Sequence, residues 1–373
     1  MTSMATALVQ TGPKEQRFEE IPFPKLPPGA ALLRVEANGI CGSDVESFLG
    51  VDRNAPADRK YPRINGHEIV GVIEDMGPRV SYRNGLSIGD RVAVNPVIPC
   101  GKCGPCTDGR MHMCAGGRFD LPVYGFVPTT VGPGLWGGYS THVYIDPDAI
   151  VYPFPADFDP LTATLWNPLG GAIQWSVMTP GHKVGQSVAV LGSGQRGLAI
   201  VAAQRAVGSG LIVATGLSRD QHKLDLALEF GANAVVNVEE QDPVEAVLEL
   251  TGGQGVDLVI DTVPKITSTT LQGLQMVKTG GTFVNIGVKD PTVDAFPIGR
   301  ITSKNIRVIG AANSSIAAYQ AAADMLIQGQ VKLDKMRTHV FGFDRFEEAL
   351  DTLEAKIPGT KSVNVVVTPT FSN

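Results

Sequence analysis

Four of the five cysteines in this chain of 373 residues lie together in the segment CGKCGPCTDGRMHMC. The C-x2-C-x2-C-x7-C spacing allows four thiolates to surround one tetrahedral ion, and Zn²⁺ prefers this donor set. Iron–sulfur clusters use similar spacing, and four buried free thiols are a further alternative. A zinc ion with four cysteine ligands is closed to substrates, so it would stabilise a loop. We therefore predict a structural zinc site formed by Cys100, Cys103, Cys106 and Cys114.

A glycine-rich loop follows an apolar run in VAVLGSGQRGL. The glycines match G-x-G-x-x-G, with a strand-like run before them and a helix-like run after them, which is the context of a dinucleotide site. The amino terminus of such a helix favours phosphate groups. A glycine turn without a ligand is the alternative. The pattern predicts that NAD or NADP is bound by Gly192, Ser193, Gly194, Gln195, Arg196 and Gly197.

The next strand-like run, LIVATG, ends where an NAD site usually carries Asp or Glu for the ribose 2′-hydroxyl. Gly216 occupies that place, and Ser218 and Arg219 follow it. The missing carboxylate removes repulsion toward a 2′-phosphate, and Arg219 would pair with the phosphate. The alternative is that Arg219 is a solvated residue at the start of a helix. The sequence thus favours NADP over NAD as the cofactor.

Composition and charge exclude several classes of protein. The net charge is −6, which argues against nucleic acid or an anionic membrane as the main partner. No segment has the ~18 unbroken apolar residues that a bilayer-spanning helix needs. The start, MTSMATALVQ, lacks the pattern of a secretory signal, so we expect a cytoplasmic protein. In that reducing compartment, clustered cysteines bind metal more often than they form disulfides.

The elements that must position these residues change in character near residue 160. Before it, short alternating or β-branched runs such as ALLRVEANGI and HEIVGVIEDMG predict a β-rich unit over residues 1–160. After it, apolar strand-like runs alternate with helix-like runs, which predicts an α/β, doubly wound parallel sheet over 161–300. Residues 301–373 either extend that sheet or return in part to the first unit.

Several motifs, in their order and spacing, give the chain a resemblance to the zinc-containing medium-chain alcohol dehydrogenase family along its whole length. The branch it resembles is that of the sorbitol and threonine dehydrogenases. Besides the cysteine array and the glycine loop, the matching segments are GICGSD (39–44), GHEIVG (66–71), GDRV (89–92) and GGY (137–139). The resemblance implies a GroES-like catalytic domain joined to a Rossmann domain, and a homodimer or homotetramer.

The same resemblance implies a catalytic zinc ion bound by Cys41 and His67, with Asp44 orienting the imidazole ring and Ser43 passing on the substrate proton. Such an ion polarises a carbonyl group or favours an alkoxide while nicotinamide exchanges hydride. The resemblance also implies that nicotinamide lies against the strand ends that carry Thr262, Val263, Ile286 and Gly287.

The match fails at the family's third zinc ligand, which is a Cys or Glu before the first Rossmann strand. In this chain the segment is LWNPLGG, and Asn167 occupies the position. Three interpretations follow: Glu68 completes the ligand set, Asn167 binds weakly or through water, or no catalytic zinc is held. A second departure is Glu46, where another branch has a proton-relay histidine.

The function predicted from these observations is zinc-dependent hydride transfer between NAD(P) and an alcohol and its ketone or aldehyde. One alternative is a zinc-poor reductase of the same superfamily, which acts on carbonyls or activated double bonds with NADPH. The other is a non-catalytic protein that senses a dinucleotide. The expected partner is a small-molecule substrate, with no nucleic acid and no membrane.

Overall fold

The computed structural model describes residues 4–51, 61–78, 85–114, 116, 123–289 and 292–371. Its strands are β1 (Met4–Gly12), β2 (Glu15–Pro22), β3 (Ala31–Gly39), β4 (Arg63–Ile64), β5 (Glu68–Met76), β6 (Arg91–Val94), β7 (His142–Ile145), β8 (Val151–Phe154), β9 (Val188–Leu191), β10 (Ile212–Gly216), β11 (Ala234–Asn237), β12 (Val256–Asp261), β13 (Val277–Asn285), β14 (Arg307–Gly310), β15 (Arg337–Gly342) and β16 (Asn364–Thr368).

The α-helices are mostly short in the first part of the chain and longer after residue 190. They are α1 (Gly42–Phe48), α2 (Gly104–Thr107), α3 (Pro160–Ala163), α4 (Trp166–Ile173), α5 (Gln195–Ala206), α6 (Gln221–Glu229), α7 (Pro243–Leu250), α8 (Ser268–Met276), α9 (Ile298–Ser303), α10 (Ile316–Ile327) and α11 (Phe346–Leu353). Short 3₁₀ turns lie at Met111–Met113, Ser218–Asp220, Asp334–Met336 and Phe343–Arg345, and a π-helical turn at Gln174–Met178 follows α4.

The chain forms two compact units. The first consists of residues 1–167, 315–323 and 336–373, and the second of residues 168–314 and 324–335. Among the described residues, no helix is long and apolar enough to cross a membrane.

The first unit is built from antiparallel strands. One sheet has the order β2-β1-β4, and the other has the order β15-β16-β3-β5-β6-β8, with β7 also paired to β3. Its core contains large aromatic side chains, among them Trp136, Tyr139 and Phe346, which are almost fully buried. Burial of aromatic side chains of this size supplies much of the hydrophobic stabilisation of such a core.

The second unit is a six-stranded parallel sheet in the order β11-β10-β9-β12-β13-β14. Numbered from β9, this order is 3-2-1-4-5-6, which is the Rossmann order. The strands β9 and β12 are buried almost throughout because helices cover both faces of a parallel sheet. The predicted α/β fold with a doubly wound parallel sheet and a β-rich unit is confirmed.

The part of the chain after residue 300 both extends the parallel sheet and returns to the first unit, which are the two possibilities that the sequence left open. Its first strand, β14, pairs with β13 and extends the parallel sheet. Its last strand, β16, pairs with β3 in the antiparallel sheet of the first unit.

Candidate functional site

The four-cysteine segment folds into a compact cluster. The four sulfur atoms lie within 4.8 Å of one another, and Sγ of Cys103 lies 3.9 Å from Sγ of Cys114. Four thiolates at ~2.3 Å from a tetrahedral ion are roughly 3.8 Å apart, so the cluster has the size that zinc requires. The N–H groups of Cys100 and Cys103 point at sulfur atoms of the cluster, at 3.3 and 3.4 Å.

Burial keeps the Cys106 thiol of this cluster protonated when no cation is bound. Burial raises the pKa of Cys106 to about 12, and neighbouring thiols contribute to the rise. A thiol with that pKa ionises at neutral pH only when a positive charge stabilises the thiolate. The donor set and its dimensions therefore fit a structural zinc ion.

A second group of possible ligands lies in the same unit, where β3 pairs with β5. In this antiparallel pair Gly39 lies opposite Glu68, so the end of one strand meets the beginning of the other. Cys41 follows β3 at the start of α1, and His67 directly precedes β5. The ligand atoms of Cys41, His67 and Glu68 lie within 4.8 Å of one another.

Asp44 holds two members of this group. Its Oδ1 lies 3.4 Å from Nδ1 of His67, and its Oδ2 accepts the backbone N–H of Cys41 at 2.9 Å. Since Nδ1 faces the carboxylate, Nε2 is the nitrogen that would bind a cation. Burial lowers the pKa of His67, but the charge and hydrogen bonding of Asp44 outweigh it and hold the pKa well above 6.5. The pocket thus stabilises positive charge.

The carboxylate of Glu68 is fully buried against the backbone of β3. A Cβ atom added at Gly39 would lie 2.3 Å from Oε2 of Glu68, so the glycine leaves the space that this carboxylate fills. Burial raises the pKa of Tyr139 well above its usual value, and the charges of Asp44 and Glu68 add to the rise. One thiol, one imidazole and one carboxylate form a donor set suited to zinc.

The other residues predicted for this site lie around the cluster with different partners. Asn167 is buried in the first turn of α4, and its Nδ2 donates to the Tyr319 hydroxyl at 3.4 Å. Ser43 and Glu46 are half-buried on α1. The ring centre of Phe126 lies 5.9 Å from that of His67.

In the second unit, the glycine loop joins β9 to α5. A Cβ atom at Gly197 would lie 1.9 Å from the Gly192 carbonyl oxygen, so only glycine permits this approach of helix and loop. By contrast, a Cβ atom at Gly194 would meet nothing within 4 Å. Gly194 is the residue that precedes α5, and the open space there fits a pyrophosphate. Gln195 is buried, and the guanidinium of Arg196 stacks on Trp175.

The predicted nicotinamide segments meet at Asp261, the last residue of β12. Its backbone carbonyl accepts the N–H groups of Ile286 and Gly287, and its Oδ1 accepts that of Val263. Thr262 donates through Oγ1 to the Leu191 carbonyl at 2.8 Å. The ends of three neighbouring parallel strands are thereby tied together at the edge of the sheet where Rossmann folds bind dinucleotides.

An acidic residue that sequence reasoning missed, Glu239, contacts the segment that follows β10. The N–H of Ser218 donates to Oε2 of Glu239 at 2.7 Å. Glu239 comes from the turn after β11, the strand next to β10 in the sheet. The sequence did offer one signal for Glu239, which is its place just after a strand-like run. Carboxyl ends of parallel strands share one edge of the sheet, and dinucleotides bind at that edge.

Two family models match this chain. Residues 27–156 match the alcohol dehydrogenase GroES-like domain, and residues 197–328 match the zinc-binding dehydrogenase domain. The chain is 37% identical over 371 residues to the probable alcohol dehydrogenase adh of Mycobacterium tuberculosis, covering 98% of this chain and 99% of the relative.

Two further proteins are similar over nearly the whole chain. The erythritol/L-threitol dehydrogenase of Mycolicibacterium smegmatis is 33% identical over 370 residues, covering 97% of each chain. A structure described as a zinc-binding dehydrogenase from Sinorhizobium meliloti 1021, bound to NADP, superposes with a TM-score of 0.85 and 27% identity, covering 99% of this chain and 100% of that one.

Proposed function

Because the chain belongs to the zinc-containing medium-chain alcohol dehydrogenase family, we propose that Cys41, His67 and Glu68 hold a catalytic zinc ion for NAD(P)-dependent oxidation of an alcohol. The resemblance to its sorbitol and threonine dehydrogenase-like branch is confirmed by relatives named erythritol and threonine dehydrogenases. The chain is an NAD(P)-dependent alcohol dehydrogenase, and what is proposed is which residues carry the reaction.

The observation that supports this ligand set most directly is the convergence of three different donors within 4.8 Å. Two anionic donors balance the charge of Zn²⁺, so Asn167 is not needed for neutrality. This favours the first of the three interpretations of the departure at position 167, in which Glu68 completes the set. The buried carboxylate of Asp44 then orients the imidazole ring of His67 through Nδ1, which leaves Nε2 for the ion.

Oxidation of an alcohol requires that the substrate oxygen be stabilised, that a hydride be accepted and that a proton be removed. A zinc ion held by Cys41, His67 and Glu68 would supply Lewis-acid stabilisation of the substrate oxygen, and NAD(P)⁺ held at the glycine loop would supply the hydride acceptor. The hydroxyl proton must leave, and Ser43, two residues after Cys41, is proposed to accept it and pass it on. Oxidation of the alcohol thus releases one proton and transfers one hydride.

Metal content and turnover together test this proposal. Purified protein should contain two zinc ions per chain and reduce NAD⁺ or NADP⁺ with a panel that includes polyols and amino alcohols. One zinc ion per chain with full activity would instead indicate the zinc-poor reductase. Absence of turnover with every alcohol and ketone would indicate the dinucleotide-sensing protein.

We also propose that the chain forms a homodimer or a homotetramer in the cytoplasm. The strand β14 is an edge of the parallel sheet, and β13 is its only neighbour among the strands described. Val308 on β14 is 44% exposed, and Ile298 on α9 is 68% exposed. An exposed edge strand with apolar side chains readily pairs with another chain. Analytical ultracentrifugation of wild type and Val308→Lys would test this, with dissociation of the variant expected.

A further inference from the structure

The end of β10 in the second unit carries Gly216 where an NAD site usually has an acidic residue, and the space beside it is crowded. A Cβ atom at Gly216 would lie 2.6 Å from Oγ of Ser193 and 2.9 Å from Cδ2 of Leu224. A larger side chain at this position would therefore require the side chains of Ser193 and Leu224 to move. A carboxylate at this edge of the sheet must come from another element.

The neighbouring strand β11 supplies one. Gly216 and Asn237 are register partners at the ends of the two parallel strands, and the N–H of Val238 donates to the Gly216 carbonyl at 3.0 Å. The N–H of Glu239 donates to Oδ1 of Asn237 at 3.2 Å, so the turn is held by a side chain as well as by the backbone.

This turn places the carboxylate of Glu239 on the segment that follows β10. Oε2 accepts the N–H of Ser218 at 2.7 Å, and the Ser218 hydroxyl is in turn within 3.0 Å of Nδ2 of Asn237. The backbone N–H of Ser218, after β10, is a donor that a 2′-phosphate would use. In this structure it donates to the carboxylate of Glu239 instead.

Apart from the pair of Asp220 and Lys223, two charges near this turn have opposite signs, those of Arg219 and Glu239. Asp220 pairs with Lys223 at 2.7 Å, so these two charges largely offset each other. Hydrogen bonds from Ser218 lower the pKa of Glu239, and the positive charge of Arg219 lowers it further. Glu239 is therefore anionic at neutral pH. A phosphate at this place would be attracted by Arg219 and repelled by Glu239.

We propose that Glu239 is the residue that discriminates against a 2′-phosphate on the adenosine ribose, in opposition to Arg219. The inference rests on the proposed binding of NAD(P) at this edge of the sheet. Selectivity between the two cofactors is then set by the carboxylate of Glu239, which follows β11, because glycine at position 216 supplies none. Removal of the Glu239 charge shifts the balance toward NADP.

Calorimetric titration with two nucleotide fragments tests the proposal without relying on catalysis. The probes are 5′-AMP and adenosine 2′,5′-bisphosphate, which differ only in the 2′ group. In Glu239→Gln, which keeps an oxygen acceptor for Ser218, we expect affinity for the bisphosphate to rise about tenfold, since one nearby negative charge is removed. Affinity for 5′-AMP should stay within about twofold because a ribose hydroxyl carries no charge.

Glu240→Gln is the matched control, because it removes the same charge from the next residue, which is also exposed. We expect little change in this variant, and Arg219→Ala should weaken bisphosphate binding. The proposal is overturned if Glu239→Gln leaves bisphosphate affinity unchanged or lowers it. It is also overturned if Glu240→Gln has an equal effect, since the cause would then be overall charge.

The outcomes separate this inference from the proposed function. If wild type and variants bind neither fragment, the cofactor site itself is wrong, and the inference fails with it. If Glu239→Gln gains bisphosphate affinity but the protein oxidises no alcohol, the inference stands and the proposed chemistry fails. The gain should also shrink in high salt, because exposed charges are screened.

Discussion

Oδ1 of Asp44 lies 3.4 Å from Nδ1 of His67 in the interior of the first unit. The second oxygen of the same carboxylate accepts the N–H of Cys41, so one buried group fixes the positions of two proposed zinc ligands. A ligand held in this way loses less freedom when the ion binds, which favours affinity.

Asp44→Asn should weaken the proposed catalytic zinc site. The amide has only one oxygen, so it cannot accept from Cys41 and face His67 with an acceptor at the same time. Loss of such a supporting contact typically costs about 10–100-fold in metal affinity. Competition with a fluorescent chelator measures this, and the four-cysteine zinc should stay bound as an internal control. Unchanged affinity at the second site would contradict the role of Asp44.

Glu68→Gln should lower zinc content and activity more than Asn167→Ala does. The neutral amide of glutamine is a poorer zinc donor than a carboxylate, whereas the described contact of Asn167 is with the Tyr319 hydroxyl. Mass spectrometry of the metal should give about one zinc ion per chain in the first variant and about two in the second. If Asn167→Ala loses more zinc, Glu68 is not the compensating ligand.

Gly39→Ala should disturb the same site by a steric clash, without changing any proposed ligand. The added methyl group would lie 2.3 Å from Oε2 of Glu68, so the carboxylate must move away from its place beside Cys41 and His67. We expect loss of the catalytic zinc ion and a decrease in kcat. Gly42→Ala is the control, because a Cβ atom there meets nothing within 4 Å. Equal zinc content in the two variants would count against the position of Glu68.

The parallel sheet was predictable because its strands leave a strong local signal. VAVL is buried and apolar along its whole length, and VDLVID is apolar except for Asp257 and Asp261. The strands β1 and β2 lie within the predicted β-rich unit, but their individual runs give a weaker signal. In β2, EQRFEEIP has no fully buried residue, so its composition resembles that of an exposed loop.

The convergence of the three proposed zinc ligands could not be derived from the residues alone. It depends on the register of β3 against β5, which brings Gly39 opposite Glu68, and such register is a long-range property. The resemblance to a family supplied it instead. Glu239 was missed for a related reason: in the sequence it is one of two adjacent exposed glutamates, and only the pairing of β10 with β11 brings it to Ser218.

Lys289→Met should destabilise the second unit and weaken cofactor binding. Nζ of Lys289 lies 3.0 Å from Oδ2 of the fully buried Asp261 and also donates to the Val263 carbonyl, so it braces the strand ends predicted to bind nicotinamide. Removing one partner of a buried ion pair costs about 3–5 kcal/mol, because the other charge is left uncompensated. Denaturant unfolding and NADH fluorescence titration measure the two effects. In Asp261→Asn/Lys289→Met, which leaves no buried charge, much of the stability should return. A double variant as unstable as the sum of both single variants would show that the pair does not act as a unit.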